Sequence, residues 1–203
     1  MSTPEMTLYY DEVSPPARSI LMALSALGVK DRAKLVHIDL FNAEHFSQDF
    51  LKVNPLHTVP VLQHGDLTLT DSHAILMYLC DTFATAGHDL AIPDTLTRAK
   101  RKVFSGEITE PSEHLYPIEE TIDALELYLK ESKYSALDRL SVADFSIMAT
   151  LASVNIVLPI TADRWPRVAE WFDEIQALPW YDEQQRAGVE KIGEMFREQL
   201  NNV

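Results

Sequence analysis

With 203 residues, 46% hydrophobic and 24% charged, the chain is long enough to bury a substantial core and too apolar to remain disordered. Its 31 acidic residues against 17 basic ones leave a net charge of −14 with no basic cluster, a field that opposes nucleic acid and anionic membrane as partners. One cysteine, Cys80, excludes an internal disulfide and any CxxC motif; with no secretory start and no long apolar run, the expected compartment is the cytoplasm.

In chain order, "MTLYY" reads as a strand, and from Pro16 onward Ile20, Leu21, Leu24 and Leu27 recur at helical spacing. "KLVHIDL" is a second strand, "HFSQDFLKV" a helix, "TVPVLQHGDLTL" a hairpin through His64-Gly65-Asp66, and "SHAILMYLCDTF" a helix opened by Asp71 or Ser72. The order over residues 1–84 is βαβαββα. Residues 85–94 carry Gly87 and Pro93, lose the periodicity and read as a linker. From 95 to 203 no strand pattern survives. Ile118, Ile122, Leu125 and Leu129 form one helical stripe, and Val168, Trp171, Phe172, Ile175 and Leu178 another. Between them "SVADFSIMATLASV" is apolar on nearly every side, as a central bundle helix is, and Ser141 with Asp144 marks its capped start. The expected fold is a small α/β domain followed by an all-α bundle.

Three stretches hold residues with chemical potential. Ser14 precedes Pro15 and Pro16 at a helix start, where a serine caps; a hydroxyl at the positive end of a helix also suits a bound anion such as a thiolate. Val59-Pro60 stands at a strand start, where a cis bond and an unpaired main chain would accept an extended peptide, although such a dipeptide also serves as a plain strand start. Asp71 and Ser72 are each accounted for as helix caps, and together they suit the ammonium and carboxylate of an amino-acid group. The seven histidines match no metal-ligand spacing, so no metal is expected, and no GxGxxG, P-loop or GxSxG motif is present. Cys80 reads as a small buried side chain.

Taken in order, "LYYDEVSPPARS", "NAEHFSQDFLKVNPLHTVPVL", "LTDSHAILMYL", "SVADFSI" and "WPRVAEWFDEIQALP" resemble the cytosolic glutathione S-transferases, within them the insect delta/epsilon classes, and most of all the epsilon-class Noppera-bo group linked to ecdysteroid synthesis. The resemblance implies a thioredoxin-like glutathione-binding domain over 1–84 and a helical domain over 95–203 lining a pocket for an electrophile. It also implies glutathione as co-substrate, a hydrophobic small molecule as second partner, and a homodimer. By position it puts the catalytic hydroxyl on Ser14 and the main-chain pairing with glutathione on Val59 before a cis Pro60. Asp71 and Ser72 then hold the γ-glutamyl end, His45 and His57 lie near the glycyl carboxylate, and His73 stands beside them. The implied activity is conjugation of apolar electrophiles or isomerisation of a steroid-like substrate; the alternative is a non-catalytic carrier of an apolar, sterol-like ligand.

Two departures stand out. The stretch around "RAKRKVF" is several turns shorter than the family's first helix there, and none of Glu107, Glu110 or Glu113 can be equated with the acidic residue associated with steroid binding in the Noppera-bo group. Leu137 stands where glycine is common, so a different local turn is expected.

Overall fold

The structure, a computed structural model, describes residues 6–85, 90 and 118–201, with side chains to 198. The shortened helix, with Glu107, Glu110 and Glu113, and most of the 85–94 linker lie outside the described residues.

Strand β1 (Met6–Tyr10) runs into helix α1 (Pro15–Ala26), which crosses over to the parallel strand β2 (Ala33–His37). Helix α2 (Gln48–Val53), strands β3 (Val61–His64) and β4 (Leu67–Leu69), and helix α3 (Ser72–Phe83) complete the expected βαβαββα order. The sheet order is β2-β1-β3-β4, with β3 antiparallel to both neighbours. Gly65 turns the β3–β4 hairpin at φ +58°, a conformation that costs glycine nothing. Tyr9 pairs with Val61, Tyr10 with His37 and Leu62 with Leu69. The chain therefore leaves β1, β2 and β4, and enters β3, at one end of the sheet. Ser14, His45, His57 to Pro60, and Asp71 to His73 all follow or precede strands at that end.

The second part is helical among the described residues: α4 (Ile118–Glu131), α5 (Val142–Val154), α6 (Pro166–Gln176) and α7 (Tyr181–Asn201). Helix α5 is the central one, with Phe145, Met148 and Ala149 fully buried, and it packs on α1 in a core shared with Ile20, Leu24, Ile75 and Trp171. Asp144 fixes its start. Buried, it accepts from Ser141 N–H (2.8 Å), Ser141 Oγ–H (3.0 Å), Ser135 N–H (2.9 Å) and the Trp171 indole (3.0 Å). The capping box is thus also a tie between α5 and α6.

Leu137 is accommodated without left-handed backbone: among the described residues only Ala43 (φ 58°) and His57 (φ 47°) are non-glycine residues at positive φ. Its carbonyl instead accepts from Tyr134 N–H at 3.0 Å, closing the turn.

Candidate functional site

Ser14 is the cap of α1, and its hydroxyl oxygen accepts from Ala17 N–H at 3.4 Å. That bond uses a lone pair. The O–H itself remains a donor, so the two readings of Ser14 are compatible. No acidic residue occupies the first turn of α1 to cancel the positive helix end. The loop that presents Ser14 is organised by Asp11, which is wholly buried. One carboxylate oxygen accepts from Val13 N–H (3.0 Å), the other from Leu40 N–H (2.9 Å), and its carbonyl accepts from Ser14 N–H (3.1 Å).

Asn54 does the same for the loop before β3. Buried, it donates through Nδ2 to the Thr58 carbonyl (2.9 Å) and accepts from Leu56 N–H (3.0 Å). The Val59–Pro60 bond that follows is cis. Among the described residues, no main-chain hydrogen bond involves Val59, which leaves its N–H and C=O open to an extended peptide. His45, Phe46 and His57 stack in sequence, with centroids 4.1 Å and 4.7 Å apart. The His45 Nδ1 is buried without a partner among the described residues, an orphan that a ligand acceptor or donor would satisfy.

At the third corner Asp71 caps α3, accepting from Ala74 N–H at 2.8 Å, and Ser72 is the first helical residue. His73 turns away from that group toward the helical domain: its Nε2 lies 3.1 Å from Ser146 Oγ on α5. Pro16, Ser72 and His73 form one wall of a cavity of about 250 Å³ whose other described walls come from α4 and α5, including Ile122, Leu125 and Ile147. The cavity is mostly apolar. It opens beside the two helix starts that carry Ser14 and Ser72.

Sequence reasoning missed the support behind this site. Arg18, fully buried, donates to the carbonyls of Glu12 (2.9 Å), Val13 (3.3 Å) and Ala149 (2.7 Å), to Ser153 Oγ (2.6 Å) and to Gln185 Oε1 (2.8 Å). It joins the Ser14 loop to α5 and α7 without a carboxylate partner among the described residues. Burial pulls its pKa down to about 10, against the opposing effect of Tyr181. His37 Nε2 sits 3.1 Å from Glu12 Oε2 and 3.5 Å from Asp11 Oδ1, and Lys191 Nζ 3.3 Å from Glu12 Oε1. Asp11, Glu12 and His37 have the ligand types of a metal site, with ligand atoms within 4.8 Å of one another. Both Asp11 oxygens already accept main-chain N–H groups and the Lys191 ammonium faces Glu12, so these carboxylates already have partners within the protein. Spacing in the sequence gives no sign of this cluster, because the partners come from the loop after β1, from β2 and from α7.

No described helix is long and apolar enough to cross a membrane. The glutathione S-transferase N-terminal domain matches residues 8–87 and the C-terminal domain residues 79–179. Glutathione S-transferase 2 of Anopheles gambiae is 31% identical, covering 79% of this chain and 88% of its own. The solved epsilon-class enzyme of Musca domestica is 32% identical and superposes with a TM-score of 0.84 over 95% of this chain and 97% of its own. A Drosophila mojavensis homologue solved with bound glutathione is 28% identical, with a TM-score of 0.82 over 94% and 95%. A thioredoxin-like sheet domain, a helical domain behind it, and near full-length relatives among the insect epsilon-class enzymes place the chain in the glutathione S-transferase family, whose co-substrate is glutathione.

Proposed function

We propose that Ser14 activates glutathione for attack on small apolar electrophiles. The observation that carries this reading is the bonding of Ser14: its oxygen is a helix-cap acceptor, its O–H is spare, and it stands at the sheet end where Val59, Asp71 and Ser72 also emerge. A donor aimed at sulfur favours thiolate over thiol and lowers a pKa that starts near ~8.5. The positive end of α1 acts in the same direction. Val59 would pair main chain to main chain with the cysteinyl unit, Asp71 and Ser72 would hold the γ-glutamyl ammonium and carboxylate, and His45 and His57 would donate to the glycyl carboxylate. The net charge of −14 does not oppose this, because these groups act at hydrogen-bond range while the global field is screened beyond roughly 8 Å.

In this mechanism Ser14 stays unmodified. The thiolate forms the C–S bond as the electrophile's leaving group departs, or as its π electrons shift, and the thiol proton has already gone to solvent.

The test is Ser14→Ala. Turnover of an aryl halide should fall about 10²–10³-fold, as when a single oxyanion donor is removed, and the ultraviolet thiolate absorbance of bound glutathione should titrate at higher pH. Full turnover with an unmoved titration would refute the assignment. Binding to immobilised glutathione with no turnover of any electrophile would instead favour the carrier reading.

A steroid substrate, and with it a part in ecdysteroid synthesis, is the narrower form of this proposal. The cavity of about 250 Å³ lies below the ~300–1,000 Å³ of pockets for drug-sized ligands, so a single-ring or short-chain electrophile is the better fit. Competition by a sterol for the conjugation site would reverse that preference. A homodimer and a cytoplasmic location belong to the same proposal, supported by the 63% exposed Leu127 on α4 and by the buried free Cys80. Sedimentation reports the first.

A further inference from the structure

Among the described residues two, Ala43 (φ 58°) and His57 (φ 47°), carry a side chain at positive φ, a conformation that costs any residue with a Cβ and persists only where its surroundings impose it. Both serve one aromatic cluster. Ala43 opens the single turn of 3-10 helix (Glu44–Phe46) that carries His45 and Phe46, and its carbonyl accepts from Phe46 N–H at 3.0 Å. His57 is held by its own N–H, which donates to the Asn54 carbonyl at 3.0 Å. The Phe46 ring touches both imidazoles, with centroids 4.1 Å from His45 and 4.7 Å from His57 and the planes tilted by 44° and 37°. Neither imidazole has a hydrogen bond or ion pair among the described residues, and His45 Nδ1 is buried without one. Phe46 itself is 54% exposed and lies outside both apolar cores. What its ring gains here is contact with two imidazoles, not burial.

We propose that Phe46 is a positioning residue for glutathione, its ring holding the His45 and His57 imidazoles in the arrangement that receives the glycyl carboxylate. This rests on the reading that sets those two histidines at the glycyl end. Phe46 does not touch glutathione; it acts through the two rings. A histidine without a partner samples several rotamers, and ordering it only when the ligand arrives subtracts from affinity. Aromatic contacts at these separations order both rings beforehand. The gain falls on binding and leaves the chemical step alone, because the sulfur is served by Ser14 and the start of α1. Phe46 also directly precedes Ser47, the cap of α2, where an apolar side chain can staple a helix start. Leucine would staple as well as phenylalanine does, whereas only a ring can stack, and that difference separates the two roles.

The experiment compares glutathione with its glycine monoethyl ester, which lacks the charged carboxylate, on the full-length protein; Kd is read by calorimetry and kcat with an aryl halide at saturating co-substrate. In Phe46→Leu the Kd for glutathione should rise about five- to thirtyfold, the cost of ordering two side chains. Kd for the ester, kcat and the thiolate titration should stay within about twofold of wild type, less than the ordering cost of one side chain. Phe46→Tyr, which keeps a ring, should restore the glutathione Kd. Added to His45→Ala with His57→Ala, Phe46→Leu should change nothing further, since the groups it positions are gone. Equal loss on both co-substrates, a leucine variant that binds glutathione as wild type does, or an undiminished loss in the alanine background overturns this inference and leaves the histidines in place. Wild type that binds the ester as tightly as glutathione overturns the histidine reading with it, while Ser14 is judged separately by the thiolate titration. Wild type that binds neither overturns all three.

Discussion

Gly188→Ala is the sharpest probe of how the Ser14 loop is supported. Gly188 lies in α7, where an added Cβ would stand 1.8 Å from the Glu12 carbonyl oxygen, 2.7 Å from its carbon and 3.1 Å from Arg18 Cδ. Non-bonded carbon atoms settle near ~3.5–4.0 Å, so the two main chains must part by more than about 1 Å. Neither side yields easily. Glu12 lies between Asp11, whose main-chain and carboxylate bonds fix the loop, and Ser14; α7 is tied to α1 through Gln185 and Arg18. Overpacking of this kind costs about 1–3 kcal/mol, and weakening the bond from Arg18 to the Glu12 carbonyl about 1.5–3 more. Helix propensity returns about 1 kcal/mol. The net loss is about 1.5–5 kcal/mol, which for a chain of this size lowers Tm by roughly 3–20 °C.

Two measurements separate this from a general intolerance of glycine replacement. Gly193→Ala, in the same helix, meets nothing closer than Arg197 NH1 at 3.6 Å, an ordinary contact, and should melt at or slightly above wild type. Conjugation by Gly188→Ala below its melting range should fall as well, since a displacement of about 1 Å at a catalytic group can cost ~10²-fold. If the two alanine variants melted together, the close approach of α7 to Glu12 would not be a constraint and the argument would fail.

Arg18→Met should be at least as damaging, because three carbonyls, the Gln185 amide oxygen and the Ser153 hydroxyl each lose their donor; about 3–5 kcal/mol is expected in chemical denaturation, and Arg18→Lys should recover only part of it. Glu12 gives a pH prediction. Partial burial pushes its pKa up, but its own main-chain N–H, His37 and Lys191 outweigh that and hold it below the ordinary value of 4.5. A carboxyl depressed in the native state contributes fully above the unfolded value and loses its contribution as pH falls through the lower native one. Melting temperature should therefore drop more steeply below pH 4.5 in wild type than in Glu12→Gln, and parallel curves would remove Glu12 from the account.

Local pattern carried the element order because each element here states its period. Ile20, Leu21, Leu24 and Leu27 repeat at helical spacing, and of these the first three lie within α1 while Leu27 caps it; Ser141 and Asp144 cap α5 in chain and in space. The local roles of Ser14, Pro60 and Asp71 are legible as well, since each sits at an element boundary where a serine, proline or aspartate has a local reason to be. What pattern could not carry is partnership across long separations. The resemblance sets His73 beside the residues proposed to hold glutathione, but adjacent residues on a helix point about 100° apart, and pattern gives no sign of its contact with Ser146 on α5.

Arg18 makes the same point with a larger consequence. An arginine followed by Ser19 and preceded by Ala17 looks like a solvent-facing turn of α1, and nothing in its neighbours warns that it is wholly buried. Its geometry explains the burial: a planar fork can satisfy several acceptors at once, and here they come from the Ser14 loop, α5 and α7. Since none of them is charged, removing the cation leaves no buried charge behind, but it severs the sheet domain's loop from two helices of the bundle. The hydroxyl proposed to act on sulfur is consequently held in place by the helical domain as much as by the domain that contains it. Gly188, without a Cβ, is what lets α7 come close enough to do so.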